Sequence, residues 1–127
     1  MDGMNQILSI LQKKYRRMDM ILTITKELEQ VVSTGDETSL GIILETRQNE
    51  MNGIDQLDRE LKGIKENMPL PLQQKINQML HPASGETVRL ENPLETNIFD
   101  TNKRIIRLVE KIIDLDRVIR DRMKRKK

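Results

Sequence analysis

The chain has 127 residues, 33% of them charged, a net charge of +2, two aromatic residues (Tyr15 and Phe99) and no cysteine. The length suits one domain. The lack of cysteine excludes disulfides, thiolate catalysis and thiolate metal sites. The shortage of aromatics leaves a thick globular core without large anchors, but Leu, Ile and Met can fill a thin seam between paired helices. The net charge hides an asymmetry. Glu27 to Glu66 holds ten acidic and four basic residues, and Arg117 to Lys127 seven basic and one acidic. Lys13, Lys14, Arg16 and Arg17 form a second basic cluster.

The first predicted element is a helix over 4–32. Met4, Leu8, Leu11, Tyr15, Met18, Leu22, Thr25, Glu29 and Val32 alternate in steps of three and four, which puts one mostly apolar seam along a helix. Asp2 is a candidate cap for its start. Ser33-Thr34-Gly35-Asp36 ends it: Gly35 suits the left-handed closing position, and Asp36 caps the next helix. So short a connection makes the first two helices antiparallel neighbours.

The second helix is predicted over 37–67, about 45 Å long at about 1.5 Å per residue. Its ladder is Leu40, Ile43, Arg47, Glu50, Ile54, Leu57, Leu61, Ile64 and Met68. Gly41, Gly53 and Gly63 lie off that ladder, either to admit a close neighbour or merely tolerated. Thr25 and Arg47 fall at a similar height, so a polar layer joining them is expected, with Arg47 snorkelling from the seam edge as the alternative.

Pro69 stops the second helix. Residues 68–93 form a linker, with a short helix over 70–80 built on Leu72, Ile76, Met79 and Leu80 and a loop from His81 to Glu91. Asn92-Pro93-Leu94-Glu95 restarts helix, with Asn92 as cap and Glu95 completing a capping-box pattern. The last helix is predicted over 94–124 on the ladder Leu94, Ile98, Thr101, Ile105, Leu108, Ile112, Leu115 and Ile119. A second row, Ile106, Val109 and Ile113, widens its apolar face. That row either faces a ligand or is buried in a bundle or dimer. The linker is long enough to lay this helix along the hairpin in either direction. The expected fold is all-α: a long antiparallel helical hairpin plus a third long amphipathic helix, in a coiled-coil-like three-helix bundle.

Catalytic patterns are missing. His81 is the only histidine and sits before a proline. There is no Glu-x-x-His pair for a di-metal bundle, no phosphate loop and no nucleophile elbow. Asp55, Asp58, Asp114 and Asp116 are expected to pair with Arg59, Lys62, Arg117 and Arg120 on solvated faces. The expectation is therefore no enzyme, no metal and no cofactor. The basic tail lacks stacking aromatics, so no nucleic-acid role is expected. No apolar run nears the roughly 20 residues that span a bilayer. No signal peptide is visible. The expected location is the cytoplasm, without membrane insertion.

Several segments together resemble flagellar export chaperones of the FlgN type, which serve the hook–filament junction proteins. They are the first helix from Leu8 to Val32, Thr34-Gly35-Asp36 with Leu40, Thr46-Arg47-Gln48, and Ile54-Asp55-x-Leu57-Asp58. Glu95-Thr96-Asn97-Ile98, with Asn102 before Ile105-Ile106, is similar to the final helix of such chaperones. The resemblance implies a protein that binds the amphipathic C-terminal helix of hook-associated proteins, prevents premature self-association and delivers the client to the export gate. It implies a client groove on the last helix at Ile105, Leu108, Val109, Ile112, Ile113 and Ile119. The alternatives are a chaperone of the related filament-cap family and a structural coiled-coil adaptor that self-associates, a homodimer for example.

Overall fold

The computed structural model describes residues 2–82 and 87–125; of Asp2 it describes the backbone alone. The cap expected of the Asp2 side chain, the central part of the loop between His81 and Glu91, and the last two lysines of the basic tail lie outside the described residues. Among those described, every regular element is a helix: α1 (Asp2–Thr34), α2 (Glu37–Glu66), α3 (Leu70–Leu80) and α4 (Pro93–Arg125). The protein is all-α, as its periodicity requires.

Local chemistry sets the boundaries. Gly35 closes α1 with φ 77°, where a side chain would be strained, and its N–H donates to the Val31 carbonyl at 2.9 Å. Asp36 caps α2: its carboxylate accepts from the Ser39 N–H at 3.1 Å and from the Ser39 hydroxyl at 2.6 Å. These bonds, the hydroxyl's first, hold the Asp36 carboxyl below its ordinary value of 3.8. Asn92 caps α4 by accepting from the Glu95 N–H at 2.9 Å. The Glu95 carboxylate reaches back to the Glu91 N–H at 3.0 Å, one residue upstream of the usual capping-box donor.

α1 is the shared rod. It packs along both α2 and α4, whereas among the described residues no Cα of α2 lies within 8 Å of one in α4. The ion pairs Lys14–Asp58 at 2.8 Å and Arg17–Glu50 at 3.1 Å put α2 antiparallel to α1. Arg122 meets Glu29 at 2.9 Å and donates to the Ser33 hydroxyl at 2.8 Å. At the other end of α4, Ile98 shares a cluster with Met4 and Ile7. α4 therefore runs parallel to α1, a direction the linker length had left open. Serving two neighbours takes more than one seam. Ile7, Ile10, Ile21, Ile24 and Leu28 are buried in α1 beside the heptad ladder.

α3 contacts both α2 and α4 and covers the cleft between them at the end where α1 begins. Its Ile76 and Met79 have no exposed surface and pack with Ile7, Leu11, Leu61 and Ile98. Polar contacts hold it from both sides. Lys65 donates to the Asn77 side chain at 3.0 Å, Asn102 donates to the Leu80 carbonyl at 3.0 Å, and Lys75 meets Glu95 at 3.4 Å and the Arg89 carbonyl.

Three expectations change. Thr25 does not bond Arg47; its buried hydroxyl donates to the Ile21 carbonyl of its own helix at 2.7 Å, and Arg47 bonds Asp116 at 2.8 Å. Asp58 and Asp116 reach across to other helices rather than to Lys62, Arg59, Arg117 or Arg120. Gly53 meets not α4 but Arg17 of α1, whose guanidinium occupies the space a Cβ would need, while Gly41 and Gly63 face open space.

Candidate helix-binding cleft

Because α2 and α4 each pack on α1 but not closely on one another, a cleft runs between them with α1 as its floor. α3 covers one end. Beyond it the cleft is open, with a volume of about 250 Å³. Met18 and Ile21 form the floor, Met51, Ile54 and Asp55 one wall, and Val109, Ile112 and Ile113 the other. The surface is mostly apolar, with Met51 42% and Ile113 45% exposed at its lips. Large side chains stay exposed here because their helices lack a third neighbour at this height.

Two ion pairs lie along the cleft. Lys14–Asp58 lies toward α3, and Arg47–Asp116 joins the two walls further along. The Arg47 side chain is 18% exposed, and its Nε–H is buried without a hydrogen-bond partner. Asp116 thus binds the guanidinium through a single nitrogen, and an unmet buried donor costs about 1–3 kcal/mol. Among the described residues Asp55 has no ion-pair partner and is exposed, and no group of three or more His, Cys, Asp or Glu side chains is placed to hold a metal ion. A larger hollow of about 580 Å³ is lined by α1 and α2 alone, with Lys13, Arg16, Arg17, Glu50 and Glu60 around it. Its charged rim and the Arg17–Glu50 pair suit water better than an apolar ligand.

The chain matches no family model, no curated protein and no solved structure.

The six positions assigned to a client groove divide. Ile105, Leu108, Ile112 and Ile119 are buried in the protein's own seams: Ile105 with the α3 cluster, Leu108 and Ile112 with Ile21, Leu22 and Ile54, and Ile119 with Leu28 and Val32. They are covered because they form the row that faces α1. Val109 is half-buried and Ile113 exposed, in the second row. Val109, Ile112 and Ile113 come together in the cleft, and Ile105, Leu108 and Ile119 do not line it. The α2 wall was missing from the sequence-based site. Leu44 and Met51, seven residues apart and beside the main ladder, are the signal that marks it.

Proposed function

We propose that this protein is a cytoplasmic export chaperone that holds the amphipathic C-terminal helix of a flagellar hook-associated protein, keeps it from self-associating and hands it to the export gate. One observation carries the reading: an open apolar cleft whose floor and two walls come from three different long helices. Such a cleft suits a helix laid lengthwise, with anchors spaced three and four apart. We read the three long rods as a coiled-coil-like bundle, an antiparallel hairpin of α1 and α2 flanked by α4, in which the α2–α4 side is left for the client. Met18 and Met51 favour this use, since flexible thioether side chains adapt to an incoming surface. Among the described residues no helix is long and apolar enough to cross a membrane. The reading gives the protein no catalytic step, no metal and no cofactor. Within it, the client contacts are Val109 and Ile113 with Met51, Ile112 lies deeper in the cleft, and Ile105, Leu108 and Ile119 hold α4 in the protein's own seams.

A second reading, a self-associating adaptor, draws on Ile42 and Leu70, which are exposed outside the cleft. Titration with the C-terminal helix of a hook-associated protein separates the two. Wild-type protein is expected to bind it as a monomer. Ile113→Asp, at an exposed position, is expected to keep its helicity and weaken binding at least about tenfold, because an apolar contact worth about 1.5 kcal/mol or more is replaced by a charge. Val109→Asp should act in the same direction. Unchanged affinity in both variants would remove the cleft from the mechanism, and a dimer that buries the cleft would favour the adaptor.

A further inference from the structure

The geometry points to the stretch of cleft between the Lys14–Asp58 and Arg47–Asp116 ion pairs as a seat for a partner helix of about three turns, docked end to end with α3 and without displacing it. The inference rests on the proposed reading of the cleft as helix-binding and adds the size, anchors and charge of the occupant. It starts from α3, a helix already seated in the same cleft. α3 has eleven residues, turns Ile76 and Met79 down onto α1 and the walls, and takes polar contacts from α2 through Lys65 and from α4 through Glu95 and Asn102.

The surface under that end of the cleft recurs further along. Leu11 of α1, Leu61 of α2 and Ile105 of α4 belong to the cluster that buries α3. One heptad on, the equivalent positions are Met18, Ile54 and Ile112, and these line the open stretch. A heptad advances a helix by about 10 Å and returns it to nearly the same face. The same kind of floor and walls is therefore presented again, this time with no described helix lying over it.

The ion pairs set the length. Eleven residues separate Arg47 from Asp58 on α2 (58 − 47), about 16 Å of helix. That matches the eleven residues of α3. Charge adds a further requirement. Asp55 lies on the wall with no ion-pair partner among the described residues, whereas the acid beside α3, Glu95, is met by Lys75 of α3 itself. The fitting occupant is thus a partner protein's helix with two large aliphatic side chains three residues apart and a basic residue opposite Asp55.

The methionines give a direct test. The probe is a hydrocarbon-stapled peptide of the α3 sequence, Leu70 to Leu80, titrated into full-length protein labelled at its methionine methyl groups. Met18 and Met51 report on the open seat, and Met4 and Met79 on the seat α3 fills. The expected result is shifts at Met18 and Met51 with Met4 and Met79 unmoved, lost in Ile113→Asp protein. Asn77→Lys in the peptide, at the position that faces α2 in α3 itself, should strengthen binding by about two- to fivefold, the range of one exposed ion pair with Asp55. Movement of Met79 and Met4 would mean that the peptide competes for α3's own place, which overturns end-to-end docking. No movement at Met18 or Met51 would overturn the seat, and if the hook-associated helix still bound, the chaperone reading would outlive it. An unchanged affinity for the Asn77→Lys peptide would overturn the role of Asp55.

Discussion

Where α1 begins, four helices meet, and Ile7, Ile76, Met79 and Ile98 have no exposed surface at all. Where α1 turns into α2, only three rods share a core, with Leu28, Val32 and Ile119 inside and Leu40 and Ile43 half covered. The seams continue from one end to the other, so the difference lies in α3. Eleven added residues turn a thin seam into a closed core, and their absence at the other end leaves Leu44, Met51, Ile113 and Met123 at the surface. In a bundle of this width, three helices cannot cover all of their own apolar rows.

The largest expected effect tests this contrast. Ile76→Ala should cost about 4 kcal/mol in chemical denaturation, near the top of the range for removing a buried isoleucine, because four helices cannot collapse onto the space. Ile119→Ala should cost about 2 kcal/mol, since its thinner surroundings relax more easily. Equal costs would mean that the two ends are packed alike.

A smaller effect concerns the glycines of α2. Gly63→Ala should stabilise by up to about 1 kcal/mol, because its Cβ meets nothing and alanine favours helix. Gly53→Ala should be close to neutral. The same gain is offset by pushing the Arg17 guanidinium from its place and loosening an exposed ion pair worth about 0–1 kcal/mol. A matching gain at both sites would show that Arg17 moves aside freely.

The smallest effect is at the turn. The Asp36 carboxyl is held below its ordinary value by Ser39, so its contribution is full above the unfolded-state value near 3.8 and is lost as pH falls through the lower folded-state value. Acid titration of wild type against Asp36→Asn should show the two stability curves converging below that value. A gap that persists under strong acid would assign the cap to something other than the charge.

Much of this was legible from spacing. On α4 the ladder positions Ile98, Ile105, Leu108, Ile112 and Ile119 are all buried, because a heptad row facing one long neighbour has no other place to go. On α1 the same method found one row and missed Ile7, Ile21 and Leu28. A single ladder assumes a single partner, and α1 has two. The direction of α4 was not legible, since a linker of that length reaches either end. Nor was the pairing of Arg47 with Asp116, which depends on that direction. The site was half legible for a related reason: Val109 and Ile113 could be read from α4 alone, whereas Met51 and Asp55 acquire a meaning only when α4 lies opposite.

The double duty of α1 also bears on synthesis. A ribosome making this chain finishes α2, the mate for one flank of α1, directly after the turn, but the mate for the other flank starts only at Pro93. At about 5–20 residues per second, the isoleucine-rich flank of the nascent α1 waits several seconds for its cover. A chain released before Pro93 would carry that bare flank permanently and should be aggregation-prone, so translational pausing in the linker is the interval in which this protein itself most needs a holdase.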